Sequence, residues 1–244
     1  MPRAPLPTNE TQRLATLERY EILDTPPEQS YDDIALLASR ICDTPIAAVS
    51  LVDDERQWFK SRVGLEAHET PRDIAFCAHA ILKPREILEV TDATLDPRFA
   101  DNPLVLKAPR SRFYAGAPLV APGELPLGPL CVIDQQPRKL TDEQRESLAA
   151  LARRVVSELE LRLHVRQLQE QTKRLRAAHT ELEATRRAQI EVKDQLLRHV
   201  SHELRTPLAA LHQFLSLLID DIGEPDERRQ FLELAFKSAT QLTG

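Results

Sequence analysis

"IAAVSLVDDERQWFKSRVG", residues 46–64, sets two short apolar runs on either side of the charged turn "DDER" at 53–56. Each run is short and rich in β-branched and aromatic side chains, so the stretch predicts two strands joined by a tight, solvated turn. Outward from it, "EILEV" (86–90), "FYAGAPLVA" (113–121) and "LGPLCVID" (127–134) read as three more strands. "YDDIALLASRI" (31–41) and "DIAFCAHAIL" (73–82) carry apolar residues at helical spacing instead. Five strands with helices before and between them predict an α+β domain.

Proline and glycine divide the chain. Proline is frequent up to Pro137, where Gly64, Gly116, Gly123 and Gly128 also lie, and neither residue occurs from Arg138 to Thr206. "LTDEQ" opens that stretch, with Thr141 and Gln144 at capping-box positions. A helix from there to Thr206 would be roughly 95 Å long at about 1.5 Å per residue, which is more than a globular domain needs. Leu161, Leu168, Leu175, Leu182 and Leu196 recur at seven-residue steps, with Gln189 in the remaining slot. The alternate seam positions (Val165, Thr172, His179, Arg186, Lys193) are mostly polar. This pattern predicts a marginal coiled coil that dimerises and shifts easily.

The period then changes. Val200, Leu204, Pro207, Leu211, Leu215, Leu218 and Ile222 follow an 11-residue repeat. Such a repeat does not sustain the left-handed supercoil of heptads, so the packing must straighten or change hand. "DDIGEPDE" (220–227) predicts a turn, and a second amphipathic helix follows with Phe231, Leu234, Ala235, Ser238 and Leu242 on one face. Two such hairpins make a four-helix bundle.

"HVSHELRTPLAAL" (199–211) lies at the period change. Helical geometry puts His202 nearly opposite the packed seam, facing water, with Thr206 on its face and Glu203 on the flank. Pro207 has no N–H for the Glu203 carbonyl, so the helix should bend there. An exposed neutral imidazole is a good nucleophile toward a phosphoryl group, a neighbouring carboxylate can take its proton, and a hydroxyl one turn on can orient water. His199 and His212 are expected to be ordinary surface residues.

The string "VSHELRTP" on a helix, ahead of a second helix, resembles the phosphoacceptor box of sensor histidine kinases, whose HisKA domain is a dimeric four-helix bundle. The resemblance implies that His202 is the autophosphorylated residue, Glu203 its acid/base partner, Thr206 the support for dephosphorylating a response regulator, and Pro207 the bend. The implied partners are a second copy of the chain, a response-regulator receiver domain, and an ATP-binding catalytic domain using Mg-ATP. No asparagine box or glycine-rich lid of such a domain is present in the sequence, so the chain is expected to be the N-terminal fragment of a longer kinase.

Residues 10–160 resemble a GAF domain, a sensing module with a central antiparallel sheet flanked by helices. "EILDTPPEQSYDDI", "VSLVDDERQWFKSRVG", "FCAHAIL", "DATLDPRFADNPLV", "RFYAGAPL" and "LCVID" carry this likeness. The expected organisation is a flexible N-terminus (1–9), the GAF domain (10–160), a signalling coil (161–195) and the HisKA domain (196–244). The GAF domain would respond to a small-molecule signal whose identity the sequence leaves open. In "FCAHA", Cys77 and His79 lie about 200° apart on a helix and cannot easily share a ligand, and bilin-attaching GAF domains usually place His directly after Cys. Cys77 is therefore expected to be a small buried residue and His79 hydrogen-bonded. Cys42 and Cys131 invite a redox reading but lack a matching spacing, and Trp58, Phe76, Phe113 and Tyr114 are expected in the core. No cofactor-binding or metal-binding residues are assigned.

The remaining composition is restrictive. A net charge of −6 gives no reason to expect nucleic acid as partner. "MPRAPLPTNE" lacks the apolar core of a signal peptide, and "LAALHQFLSLLI" is too short and polar to span a bilayer. Three cysteines suit free thiols in a reducing cytoplasm. The expected function is signal-controlled, ATP-dependent autophosphorylation on His202 with transfer to a regulator aspartate. The competing expectation is a non-enzymatic dimeric GAF sensor or scaffold acting through its helix bundle.

Overall fold

The computed structural model describes residues 3–220 and 223–243, and divides the chain into two compact units, Met1–Gln169 and Glu170–Gly244. In the first, six antiparallel strands form one sheet in the order β3-β2-β1-β6-β5-β4. They are β1 (Ile46–Val52), β2 (Arg56–Val63), β3 (Glu69–Pro71), β4 (Leu88–Val90), β5 (Phe113–Ala121) and β6 (Leu125–Asp134). All five expected strands form. The additional β3 is a three-residue edge strand ending in proline. At an edge the missing N–H of Pro71 leaves no neighbouring strand unpaired.

Strand alternation builds two cores. Ala47, Val49 and Leu51 of β1, with Phe113, Ala115 and Leu119 of β5, face helices α1 (Glu10–Tyr20) and α2 (Gln29–Cys42) and the start of α5 (Asp142–Ile219). The opposite face carries Ala48 and Val52 of β1, Tyr114 of β5 and Cys131 of β6. They pack against the short α3 (Phe76–Ala80) and Val105 of α4 (Pro103–Leu106). Strand β1 is therefore buried along its whole length, which is why it reads as an unbroken apolar run. Its register shifts between Val49 and Ser50, and there β6 passes so close that a Cβ on Gly128 would lie 2.0 Å from the Ser50 carbonyl oxygen. Only glycine allows that approach.

Helix α1 was not foreseen, because its inward face carries an arginine. Arg13 is fully buried between Leu17 and the end of β1, donating to the Val52 carbonyl at 2.6 Å and to Glu10 at 2.7 Å. Arg72 donates to the same carboxylate at 2.6 Å. The sequence expectation of one helix over 73–82 resolves into a 3-10 turn (Arg72–Ile74) and α3.

The capping box of α5 is reciprocal: Thr141 N–H donates to Gln144 Oε1 at 3.1 Å, and Gln144 N–H donates to Thr141 Oγ1 at 3.2 Å. Leu148, Ala152, Val155, Leu159 and Leu163 then pack on the first core. Arg162 adds hydrogen bonds to the Tyr20 and Glu21 carbonyls at 3.1 and 3.0 Å, which cap the end of α1. It also donates to Glu28 Oε1 at 3.1 Å, and Lys60 of β2 donates to that same oxygen at 2.7 Å. Burial pushes the Glu28 carboxyl up, but these two cations outweigh it and hold it below its ordinary value.

In the second unit, α5 runs through Pro207 without interruption to Ile219, and α6 spans Pro225–Thr243. Pro225 opens α6 where its missing N–H costs nothing, and the Glu227 carboxylate accepts from the Glu224 N–H at 3.0 Å. Phe214 of α5 stacks on Phe231 of α6 with centroids 6.3 Å apart, and Ala235 and Ser238 are buried. Leu234, expected on the packed face, is exposed. Ile222 lies outside the described residues. Leu175, Leu182 and Leu196 are each more than 60% exposed. Among the described residues no helix is long and apolar enough to cross a membrane.

Candidate functional site

His202 is exposed on α5. It lies in a shallow depression with Asp194, Leu197, Arg198, Ser201 and Arg205, residues at three- and four-residue steps along one helix face. Arg198 one turn before and Arg205 one turn after flank the imidazole with two fixed positive charges. The Thr206 hydroxyl donates back to the His202 carbonyl at 3.3 Å, so it sits one turn from the imidazole on the same side. Pro207 is half-buried.

Glu203 does not touch the residue it was expected to serve. Its Oε1 lies 3.1 Å from His199 Nε2, one turn back. Residues four apart on a helix meet, whereas sequence neighbours point about 100° apart. His199, expected to be inert, therefore competes for the carboxylate, and the His199–Glu203 spacing was the signal for it. His212 is exposed, as expected.

The first unit holds a cavity of about 420 Å³ between the sheet and the α3 side, lined among others by Phe59, Phe76, Cys77, Leu104, Tyr114 and Cys131. Trp58 and Phe113 belong to the opposite core as expected, while Phe76 and Tyr114 are both buried and cavity-lining. Cys77 and His79 diverge as helix geometry requires. His79 lines a different cavity of about 490 Å³, near Lys83 and Arg98. One expectation fails: His79 Nε2 is buried without a hydrogen-bond partner among the described residues, because its ring stands edge-on to Phe99 at 4.8 Å, which offers no acceptor. Burial and the Arg98 charge push this imidazole below its ordinary pKa and favour the neutral ring. Among the described residues no three His, Cys, Asp or Glu side chains converge as a metal site.

Comparison with known proteins agrees with both halves. Residues 26–159, more than half of the chain, match the GAF domain family, and residues 192–244 match the His Kinase A (phospho-acceptor) domain. A cyclic di-GMP phosphodiesterase of Pseudomonas aeruginosa is 43% identical over 160 residues, covering 65% of this chain but only 27% of that protein. Among solved structures, the GAF domain of an Acinetobacter phosphoenolpyruvate-protein phosphotransferase is 17% identical with a TM-score of 0.47, over 64% of this chain and 98% of that one. The blue-light absorbing form of the Thermosynechococcus elongatus PixJ GAF domain is 15% identical with a TM-score of 0.45, over 69% of this chain and 96% of that one. The chain belongs to the GAF-domain family and joins that domain to a His Kinase A phospho-acceptor domain of the sensor histidine kinase type.

Proposed function

We propose that the chain is the sensing and phosphoacceptor part of a cytoplasmic, homodimeric two-component histidine kinase. The observation that carries this reading is the exposed His202, flanked by Arg198 and Arg205 within the stretch that matches the phospho-acceptor family. A nitrogen of the neutral imidazole attacks the γ-phosphoryl group of Mg-ATP, held by an ATP-binding domain. The N–P bond forms as the P–O bond to ADP breaks, and the two guanidinium groups offset the charge brought to the helix surface. Glu203 takes the proton from the other ring nitrogen, which requires it to leave His199. The phosphoryl group then passes to an aspartate of a response-regulator receiver domain, and Thr206 orients water when the regulator is dephosphorylated. Exposed leucines at heptad steps and apolar residues on the 11-residue repeat support side-by-side pairing of two copies. Through that coil the GAF domain controls access to His202, with Pro207 as the bend.

The test is to supply the ATP-binding domain with labelled ATP. Acid-labile label is expected on the wild-type chain and absent from His202→Gln. Glu203→Ala should lower the rate by about 10²-fold, a typical contribution of a positioned acid/base. Thr206→Ala should keep the label but slow dephosphorylation of the regulator. An unlabelled wild type, or label that persists in His202→Gln, would favour the non-enzymatic dimeric scaffold.

A further inference from the structure

Two of the three buried cysteines are brought to one place. Strands β1, β6 and β5 are neighbours, and their alternation sets Ala48, Cys131 and Tyr114 on one face of the sheet. Helix α3 lays Cys77 across that face, where the Tyr114 hydroxyl donates to Cys77 Sγ at 3.4 Å. The Tyr114 hydroxyl also lies over Gly116, which pairs with Cys131, so Cys131 stands beside the same hydroxyl, and its thiol donates to the Ala48 carbonyl oxygen at 3.5 Å. Ser50 Oγ is buried without a hydrogen-bond partner among the described residues. Both thiols open onto the 420 Å³ cavity. Cys42 belongs to the opposite core.

The surroundings give the two sulfurs different roles. Burial favours the neutral thiol, as at Cys42, which is pushed up to about 11. Burial acts on Cys77 too, but the neighbouring Cys131, Ser50 and Tyr114 groups outweigh it and hold its pKa below the ordinary value. Cys131, next to Cys77 and itself buried, is pushed well up. The contacts differ in kind: Cys77 accepts a hydrogen bond from the Tyr114 hydroxyl, which stabilises a thiolate, whereas Cys131 donates its own proton to a carbonyl and keeps it. Two thiols with no third convergent ligand are also short of the three or four a bound zinc needs.

We propose that Cys77 and Cys131 form an oxidisable pair that reduces a small hydroperoxide entering the cavity, with Cys77 attacking and Cys131 resolving. The Cys77 thiolate attacks the terminal peroxide oxygen. An S–O bond forms, the O–O bond breaks, and the departing alkoxide or hydroxide takes a proton to leave as alcohol or water. Cys131 then attacks the Cys77 sulfenic acid: the S–S bond forms, the S–O bond breaks, and the thiol proton leaves with hydroxide as water. Two electrons pass from the two sulfurs to the peroxide. The product ties α3 to β6 across the cavity. This chemistry is independent of phosphoryl transfer at His202.

The test uses the reduced full chain, hydrogen peroxide under native conditions, and alkylation of remaining thiols after denaturation, read by peptide mass spectrometry. The expected result is a Cys77–Cys131 cross-linked peptide, reversed by dithiothreitol, formed at least about tenfold faster than Cys42 is modified, since thiolate character sets the rate. In Cys131→Ser, oxidation should stop at a Cys77 sulfenic acid trapped by dimedone, and in Cys77→Ser, Cys131 should stay reduced. Cys42→Ser should cross-link like wild type. The proposal is overturned if wild-type Cys77 and Cys131 stay reduced, if they react no faster than Cys42, or if the disulfide maps elsewhere. The wild-type map alone decides this should a variant fail to fold.

Discussion

Glu203 has two imidazoles within its reach in sequence, and its carboxylate lies against that of His199. The contact with His199 at 3.1 Å is exposed, and exposed pairs are worth about 0–1 kcal/mol, so it biases the carboxylate without locking it. Replacing His199 by alanine should raise the initial rate of His202 phosphorylation by up to about fivefold, measured with labelled ATP and a supplied ATP-binding domain. A lower rate would show that His199 assists Glu203. Glu10 presents the opposite case, a carboxylate locked in place. Burial pushes its pKa up, but Arg13 and Arg72 outweigh that and hold it at about 2, against an ordinary 4.5. A carboxyl depressed in the folded state stabilises fully above its unfolded value and loses that contribution as pH falls through the folded one. Glu10→Gln, which leaves buried Arg13 without its counter-charge, should cost about 3 kcal/mol at neutral pH. Urea midpoints should show the gap to wild type closing between pH 4.5 and 2. The HELRTP string was readable because its residues are consecutive. The meeting of Cys77 and Cys131 was not, since it depends on which face each strand turns toward α3.

At the scale of elements, α5 was the most legible part of the molecule. Its capping box, its freedom from proline and glycine up to Thr206 and its leucine repeat all lie in local sequence, and the box forms as read. Helix α1 and strand β3 were not legible: one packs through a buried arginine, the other is three residues ending in proline. Both are held by partners distant in sequence, which no local pattern records. The helix also yields a test of transmission. One extra residue turns everything after it by about 100°. Inserting one at Gln189 should therefore uncouple His202 phosphorylation from the GAF signal, while leaving thermal unfolding of the sheet unit unchanged. Signal-dependent activity identical to wild type would show that the coil carries no information.

For the whole molecule, the apolar surface matters more than the net charge. A single chain leaves Leu175 71% and Leu182 68% exposed along with many other leucines of α5, an arrangement that association would relieve. Sedimentation should find the protein dimeric at micromolar concentration, and the double variant Leu175→Asp with Leu182→Asp should shift it measurably toward monomer. An unchanged sedimentation coefficient would place the pairing elsewhere.

Glu28 Oε1 sits between two claimants, the ammonium of Lys60 and the guanidinium of Arg162. It serves both at once, and through Arg162 it is joined to the carbonyls that end α1. The sheet and the long helix thus share one acceptor, so Lys60→Met should lower the temperature at which the sheet unit melts and Arg162→Met should lower it too, by less than additively in the double variant.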